Sequence, residues 1–157
     1  MKFIKTSAAV AALISCAAFT VVAEPAKSMK HAKKATELRQ SVFSLLGSNM
    51  GPLGAMARGK MPMDPVAVEK HAMRINQLSL MIADYSKTDT SGFKVQTGAL
   101  DKIWQHPQDY KKRIDDLTLA SANLQKVAEG KDAKAIKGAI GGVGKTCGGC
   151  HDDFKAE

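Results

Sequence analysis

Aromatic side chains are scarce, 5% of 157 residues, with one Trp, two Tyr and five Phe. β-Branched residues are thin as well, while Ala, Lys, Leu and Met are common, which turns the chain away from sheets and toward helices. Cysteine is nearly absent: there are three, and Cys147 and Cys150 stand too close together to staple distant loops. That excludes a disulfide scaffold, and a hydrophobic content of 45% excludes a disordered polymer. There is no internal repeat, low-complexity tract or hairpin signal. Acidic residues are outnumbered, 15 Asp and Glu against 23 Lys and Arg. The basic residues are nevertheless spread along the chain without an aromatic platform, so nucleic acid is not the expected partner. The length suits one modest domain.

What is present starts with an address. Lys2 and Lys5 precede an uncharged run from Ala8 to Val22, and Ala23 follows just before the first acid, Glu24. The run of about fifteen residues is short for a bilayer and has the layout of a secretory signal. Residues 1–23 are therefore expected to be cleaved, leaving a domain over 24–157 that is exported to the periplasm and not inserted in the membrane. Cys16, after Leu13-Ile14-Ser15, offers a lipoprotein alternative, although the apolar run continues past it to Val22. In either case Cys16 lies outside the fold, and thiols that remain after export should be oxidised, metallated or consumed.

Four helical stretches follow. From Ser28 to about Gly51, Ala35, Leu38, Val42 and Leu45 recur at three-and-four spacing, widened by Phe43, Leu46 and Met50. Gly51-Pro52 should end or kink this helix, with Leu53 to Ala57 able to continue beyond a kink. Asp64-Pro65 starts a second helix with inner positions Val68, Ala72, Ile75, Leu78, Ile82 and Tyr85. Ser86 to Thr97 reads as one long loop, and a short turn covers Leu100 to Trp104. Pro107 opens a third helix ended by Gly130, and Asp132 caps a fourth. The fourth carries the seam Ala133, Ile136, Ile140, Val143, Cys147, Cys150 and Phe154. The expected fold is all-α, an antiparallel up-down-up-down four-helix bundle.

Cys147-Gly148-Gly149-Cys150-His151 is the C-x-x-C-H pattern of covalent c-type haem attachment. Two thiols form thioethers with the haem vinyl groups, and the imidazole one position on becomes the axial iron ligand. His151 lies four residues after Cys147, so thiol and imidazole share a helix face. Zinc would need about four ligands, and His31, His71 and His106 lack partners at ligand spacing. A redox pair Cys147/Cys150 would normally open a helix in a βαβ setting, which is not the context here. The same stretch is rich in glycine, Gly138, Gly141, Gly142, Gly144, Gly148 and Gly149, each costing a helix about 1 kcal/mol relative to Ala. A flat apolar ligand against the backbone would offset that cost.

A haem motif at the end of a four-helix chain resembles the class II c-type cytochromes, most closely the cytochrome c′ family. Arg39-Gln40-Ser41-Val42-Phe43, Gly51-Pro52-Leu53-Gly54-Ala55-Met56 and Ile103-Trp104 are similar to that family's patterns, and the resemblance covers the whole of 24–157. It implies one haem c per chain on Cys147 and Cys150, with His151 as iron ligand. It implies that Arg39 and Gln40 contact the haem propionates, that Trp104 packs near the haem, and that Lys155 lies on the proximal side. Phe43 matches the residue facing the sixth coordination position, where low-spin relatives carry Met. It implies further a homodimer built from the first two helices.

Phenylalanine has no donor atom, so the iron should be five-coordinate and high-spin under an apolar pocket that admits NO or CO. The expected function is gas binding with electron-transfer capability toward a redox partner, without enzymatic turnover. The alternative is a low-spin electron carrier with a sixth protein ligand; Met50, two turns beyond Phe43, stands too far along the helix to serve as that ligand.

Overall fold

Capping side chains set the helix starts in the computed structural model, which describes residues 23–157; the expected signal segment, Cys16 included, lies outside the described residues apart from Ala23. The elements run β1 (Glu24–Pro25), α1 (Met29–Ala57), α2 (Pro65–Ser86), β2 (Thr88–Asp89), α3 (Lys102–Gln105), α4 (Pro107–Glu129) and α5 (Ala133–Phe154). Ser28 Oγ accepts from the His31 amide at 3.2 Å, and His31 Nδ1 accepts from the Lys27 amide at 3.1 Å, a reciprocal cap on α1. Asp64 Oδ1 accepts from Val66 and Ala67 at the start of α2, and Asp132 Oδ1 from Lys134 and Ala135 at the start of α5.

The expected break at Gly51-Pro52 does not end α1, which continues through Pro52 to Ala57. A proline removes one backbone donor, and burial of Leu53 and Met56 beyond it rewards the extra turn. The stop is Gly59 instead, at φ 70°: its amide bonds to Met56 O and the Lys60 amide to Ala55 O, the paired bonds of a Schellman motif. Gly130 ends α4 with a right-handed φ of −72°, and the next residue, Lys131, carries the left-handed one, 55°. A side chain there costs about 1 kcal/mol that glycine avoids. Lys131→Gly is expected to raise the melting temperature by roughly 3 °C; an unchanged or lower value would show that Lys131 is not strained.

The helices form a four-helix bundle in which α1 packs on α2, α2 on α4 and α4 on α5, while α5 returns to α1 over a shorter contact. Val42, Leu53, Val68, Ile75, Leu124, Ile136, Ile140 and Val143 make the core. Several inner positions differ from the sequence pattern: Leu38, Leu45 and Ala133 are exposed, and Ser79 is fully buried where Leu78 is half-buried. The reason is a polar seam between α2 and α4. Ser79 Oγ lies 2.7 Å from Thr118 Oγ1, and Asn76 Nδ2 donates to Thr118 O at 2.9 Å. These small residues bring the two helices close, with their polar atoms satisfied.

The long segment 87–101 is a strap and not a free loop. β2 pairs in parallel with β1, and Ala99 bridges Lys155 just after α5. The start of α1 and the end of α5 are thus tied to one segment at one end of the bundle, so α1 and α5 run antiparallel. Among the described residues no helix is long and apolar enough to cross a membrane.

Candidate functional site

Most of the residues singled out by the sequence lie on α1 and α5, which touch each other; Trp104 lies on α3 and Lys155 just after α5. The Met50 methyl carbon of α1 sits 3.8 Å from where a Cβ on Gly144 of α5 would be, which brings these two residues to about the same level. Phe43 precedes Met50 by seven residues and His151 follows Gly144 by seven. Seven residues are two helical turns, roughly 10 Å, and return to nearly the same face. Because the helices are antiparallel, Phe43 and His151 lie at one level on facing sides, while Met50 stands two turns away at the level of Gly144. Phe43 is 37% exposed, so it is not core filler.

On α5, Gly141, Gly144, Gly148 and His151 succeed one another at steps of three and four and share the α1-facing side. A Cβ added at Gly141 or Gly148 would touch nothing within 4 Å, so the bundle's own packing does not demand glycine there. The bare backbone is a bed for a flat apolar group. Cys147 and Cys150 are half-buried, unpaired thiols packed against the core, one turn apart. Burial pushes the Cys150 thiol up to about 11 against the lowering influence of Arg113; Cys147 is also raised by burial, opposed by a hydrogen bond with Thr146. Redox thiols are activated by the opposite shift, so the pair is poorly suited to disulfide exchange. No three His, Cys, Asp or Glu side chains gather as metal ligands among the described residues.

Arg39, one turn before Phe43 and only 2% exposed, carries the clearest mark of an external partner. Its Nη2 donates to Thr90 Oγ1 at 3.4 Å, and its guanidinium lies 5.1 Å from the ring centre of Trp104. Among the described residues Nε and Nη1 have no hydrogen-bond partner. Burial lowers its pKa, opposed by Tyr110 and Asp89, but an arginine stays charged. A buried cation with two idle donors fits an anionic group. Gln40 is exposed and donates to Gln96 O at 3.0 Å, pinning the strap at an open cleft of about 500 Å³. Trp104 is half-buried and Lys155 exposed at the end of α5, its amide bonded to His151 O.

The donor set therefore fits covalent haem: two thiols and an imidazole on one helix, a run of glycines beside them and a buried guanidinium for carboxylates. Sequence reasoning missed three supports. Arg113 clamps α4 to α5 through Asp153 Oδ2, at 3.0 and 2.7 Å, with its Nη1 lying 3.1 Å from where a Gly149 Cβ would be. Thr90 is buried under Arg39, and Ser86 hydroxyl meets Tyr110 hydroxyl at 3.2 Å. None of these had a local signal, because each depends on a partner at least 24 residues away.

Comparison with known proteins agrees with this reading. The family described as Cytochrome C′ matches residues 34–155. Cytochrome c′ of Cereibacter sphaeroides is 36% identical over 140 residues, covering 87% of this chain and 93% of that protein. Cytochrome c prime from Shewanella frigidimarina has a similar structure, with a TM-score of 0.74 and 32% identity over 83% of this chain and all of the other. At 23% identity, a ferrous variant of cytochrome c prime from Alcaligenes xylosoxidans with bound NO shares the fold, with a TM-score of 0.71 over 80% of this chain and 96% of that one.

Proposed function

The chain belongs to the cytochrome c′ family and is a haem protein with covalently held haem c, and on that premise we propose that it is an exported, five-coordinate, high-spin gas-binding protein with electron-transfer capability. The observation that supports the reading is the contact of Met50 with Gly144, from which two turns along each antiparallel helix lead to Phe43 and His151. Cys147 and Cys150 hold the haem and His151 is its iron ligand. When bound there, the haem supplies an iron centre with one free coordination position. Phe43 offers no donor to fill that position, and its ring excludes water and charged ligands while leaving space for a neutral diatomic. Leu46 and Met50 extend this apolar face. Arg39 and Gln40 receive the propionates, and Trp104 packs near them. Lys155 and the exposed edge of His151 face solvent at the strapped end, where a redox partner protein would dock.

The second reading, a low-spin carrier, requires a sixth protein ligand. Met50 is at the wrong level to supply one. NO, seen bound to the Alcaligenes xylosoxidans protein, is the natural first ligand to test, followed by CO. Titrating the ferrous holoprotein with either gas should move its main absorption band stoichiometrically. A band that does not respond would overturn the reading.

The assembly we propose is a homodimer through α1 and α2. Leu38 and Leu45 on α1 and Met73, Leu80 and Met81 on α2 leave large apolar side chains exposed, which a partner copy would cover. Leu45→Lys should convert a dimer into a monomer in sedimentation without altering the haem spectrum. A wild-type chain that sediments as a monomer, or a variant that remains dimeric, would contradict this surface.

A further inference from the structure

Arg39 raises a chemical question: what keeps a long, buried, unpaired cation in one place? Thr90 contributes a single hydrogen bond at 3.4 Å, near the limit of such a contact. A second contact is the face of Trp104, 5.1 Å from the guanidinium carbon to the ring centre. The indole is itself fixed. Its Nε1–H donates to Ser86 O at 2.9 Å, one of the carbonyls that the end of α2 leaves without a helical partner. Ser86 hydroxyl is joined to Tyr110 hydroxyl, and the Tyr110 ring meets the edge of Phe154, three residues after His151, at 5.1 Å. A rigid chain thus runs from the haem-attachment helix through α4 and α2 to Trp104 and Arg39.

We propose that Trp104 is a positioning residue for Arg39, acting through its ring face, which holds the guanidinium while leaving its N–H donors free for the carboxylates of the cofactor. An aspartate in the same place would neutralise the cation and occupy those donors. An aromatic face does neither, because it attracts the cation's charge from above the guanidinium plane and leaves the in-plane N–H groups available. Nε and Nη1 are the two that remain without partners. The inference rests on the reading that Arg39 meets a haem propionate, and it assigns to Trp104 a role beyond general packing near the haem.

The chain has a single tryptophan, so biosynthetic replacement by fluorinated tryptophans alters Trp104 alone. Fluorine drains the negative ring face step by step with little change in shape. The readout is the midpoint reduction potential of the holoprotein, compared with Arg39→Leu. Removing the cation beside the haem should lower the potential. Mono-, di- and trifluorotryptophan should lower it progressively in the same direction, toward the Arg39→Leu value, and should leave the potential of Arg39→Leu itself unmoved. Trp104→Met, which removes the ring without changing charge, should reproduce at least half of the Arg39→Leu shift, and Trp104→Phe much less. If Arg39→Leu leaves the potential unchanged, the propionate contact is wrong and the proposal falls with it. If Arg39→Leu shifts the potential but the fluorinated series does not, or shifts it equally in the Arg39→Leu background, the propionate contact stands and the positioning role of Trp104 is overturned. The fluorinated series preserves the fold even where Trp104→Met fails to yield holoprotein.

Discussion

Phe43→Met is expected to convert the iron from high-spin five-coordinate to low-spin six-coordinate and to suppress gas binding. The substitution places a thioether at the level of His151 on the opposite side of the groove, the position fixed by the contact of Met50 with Gly144. An internal ligand competes with the gas. If it occupies the iron in nine molecules of ten, apparent CO affinity falls about tenfold, because only the open fraction binds. Met50→Leu provides the matching control, since Met50 lies two turns away, and should change neither spin state nor affinity. A Phe43→Met protein that stays high-spin and binds CO like the parent would mean that another residue faces the iron.

Arg39→Leu should have opposite effects on stability in the loaded and unloaded chains. On the proposed reading the holoprotein would pair the guanidinium with a carboxylate of the haem, and deleting one partner of such a buried pair costs about 3 kcal/mol. In a chain that cannot attach haem, Cys147→Ala/Cys150→Ala, the guanidinium is 2% exposed and lacks a carboxylate. Leucine there removes a buried charge whose donors are not all satisfied, and the same substitution should stabilise the chain by roughly 1 kcal/mol. Denaturant unfolding of the four proteins, followed by helical circular dichroism, gives both signs. Destabilisation in both backgrounds would show that Arg39 finds its partner inside the protein. The contrast also has a physical consequence for maturation: a cation idle before haem arrives and satisfied afterwards couples attachment to folding.

The parts of this structure that sequence reveals are those set by near neighbours. Asp64-Pro65 and Asp132 cap their helices because the bonds they accept come from residues two and three positions on. The thiols and imidazole of Cys147, Cys150 and His151 share one short helical segment, so spacing alone conveys their chemistry. Apolar periodicity placed Val42, Ile75, Ile136 and Ile140 inside, but it had no means to place Ser79 or Ser121, whose burial depends on hydrogen bonds between α2 and α4. It likewise set Leu38 and Leu45 in the core, when the helix stripe is narrower and leaves them on the surface. Pro52 misled for a related reason, since the packing of Leu53 and Met56 outweighs one missing amide. For the site, Phe43 and Arg39 were found through resemblance to the family. The structure adds physical support by bringing Met50 of α1 against Gly144 of α5 and by leaving Nε and Nη1 of the buried Arg39 without hydrogen-bond partners.

The central claim is an iron held on one side by His151 and faced on the other by a phenyl ring without a donor. Resonance Raman spectra of the ferrous holoprotein, with and without CO, test it most directly, because coordination number, spin state and the iron–histidine stretch are read from one sample. Five-coordinate high-spin bands with an iron–histidine mode, replaced by six-coordinate carbonyl bands when CO is added, are the expected result. Six-coordinate low-spin bands before any gas is added would contradict the account and place a second protein ligand on the iron.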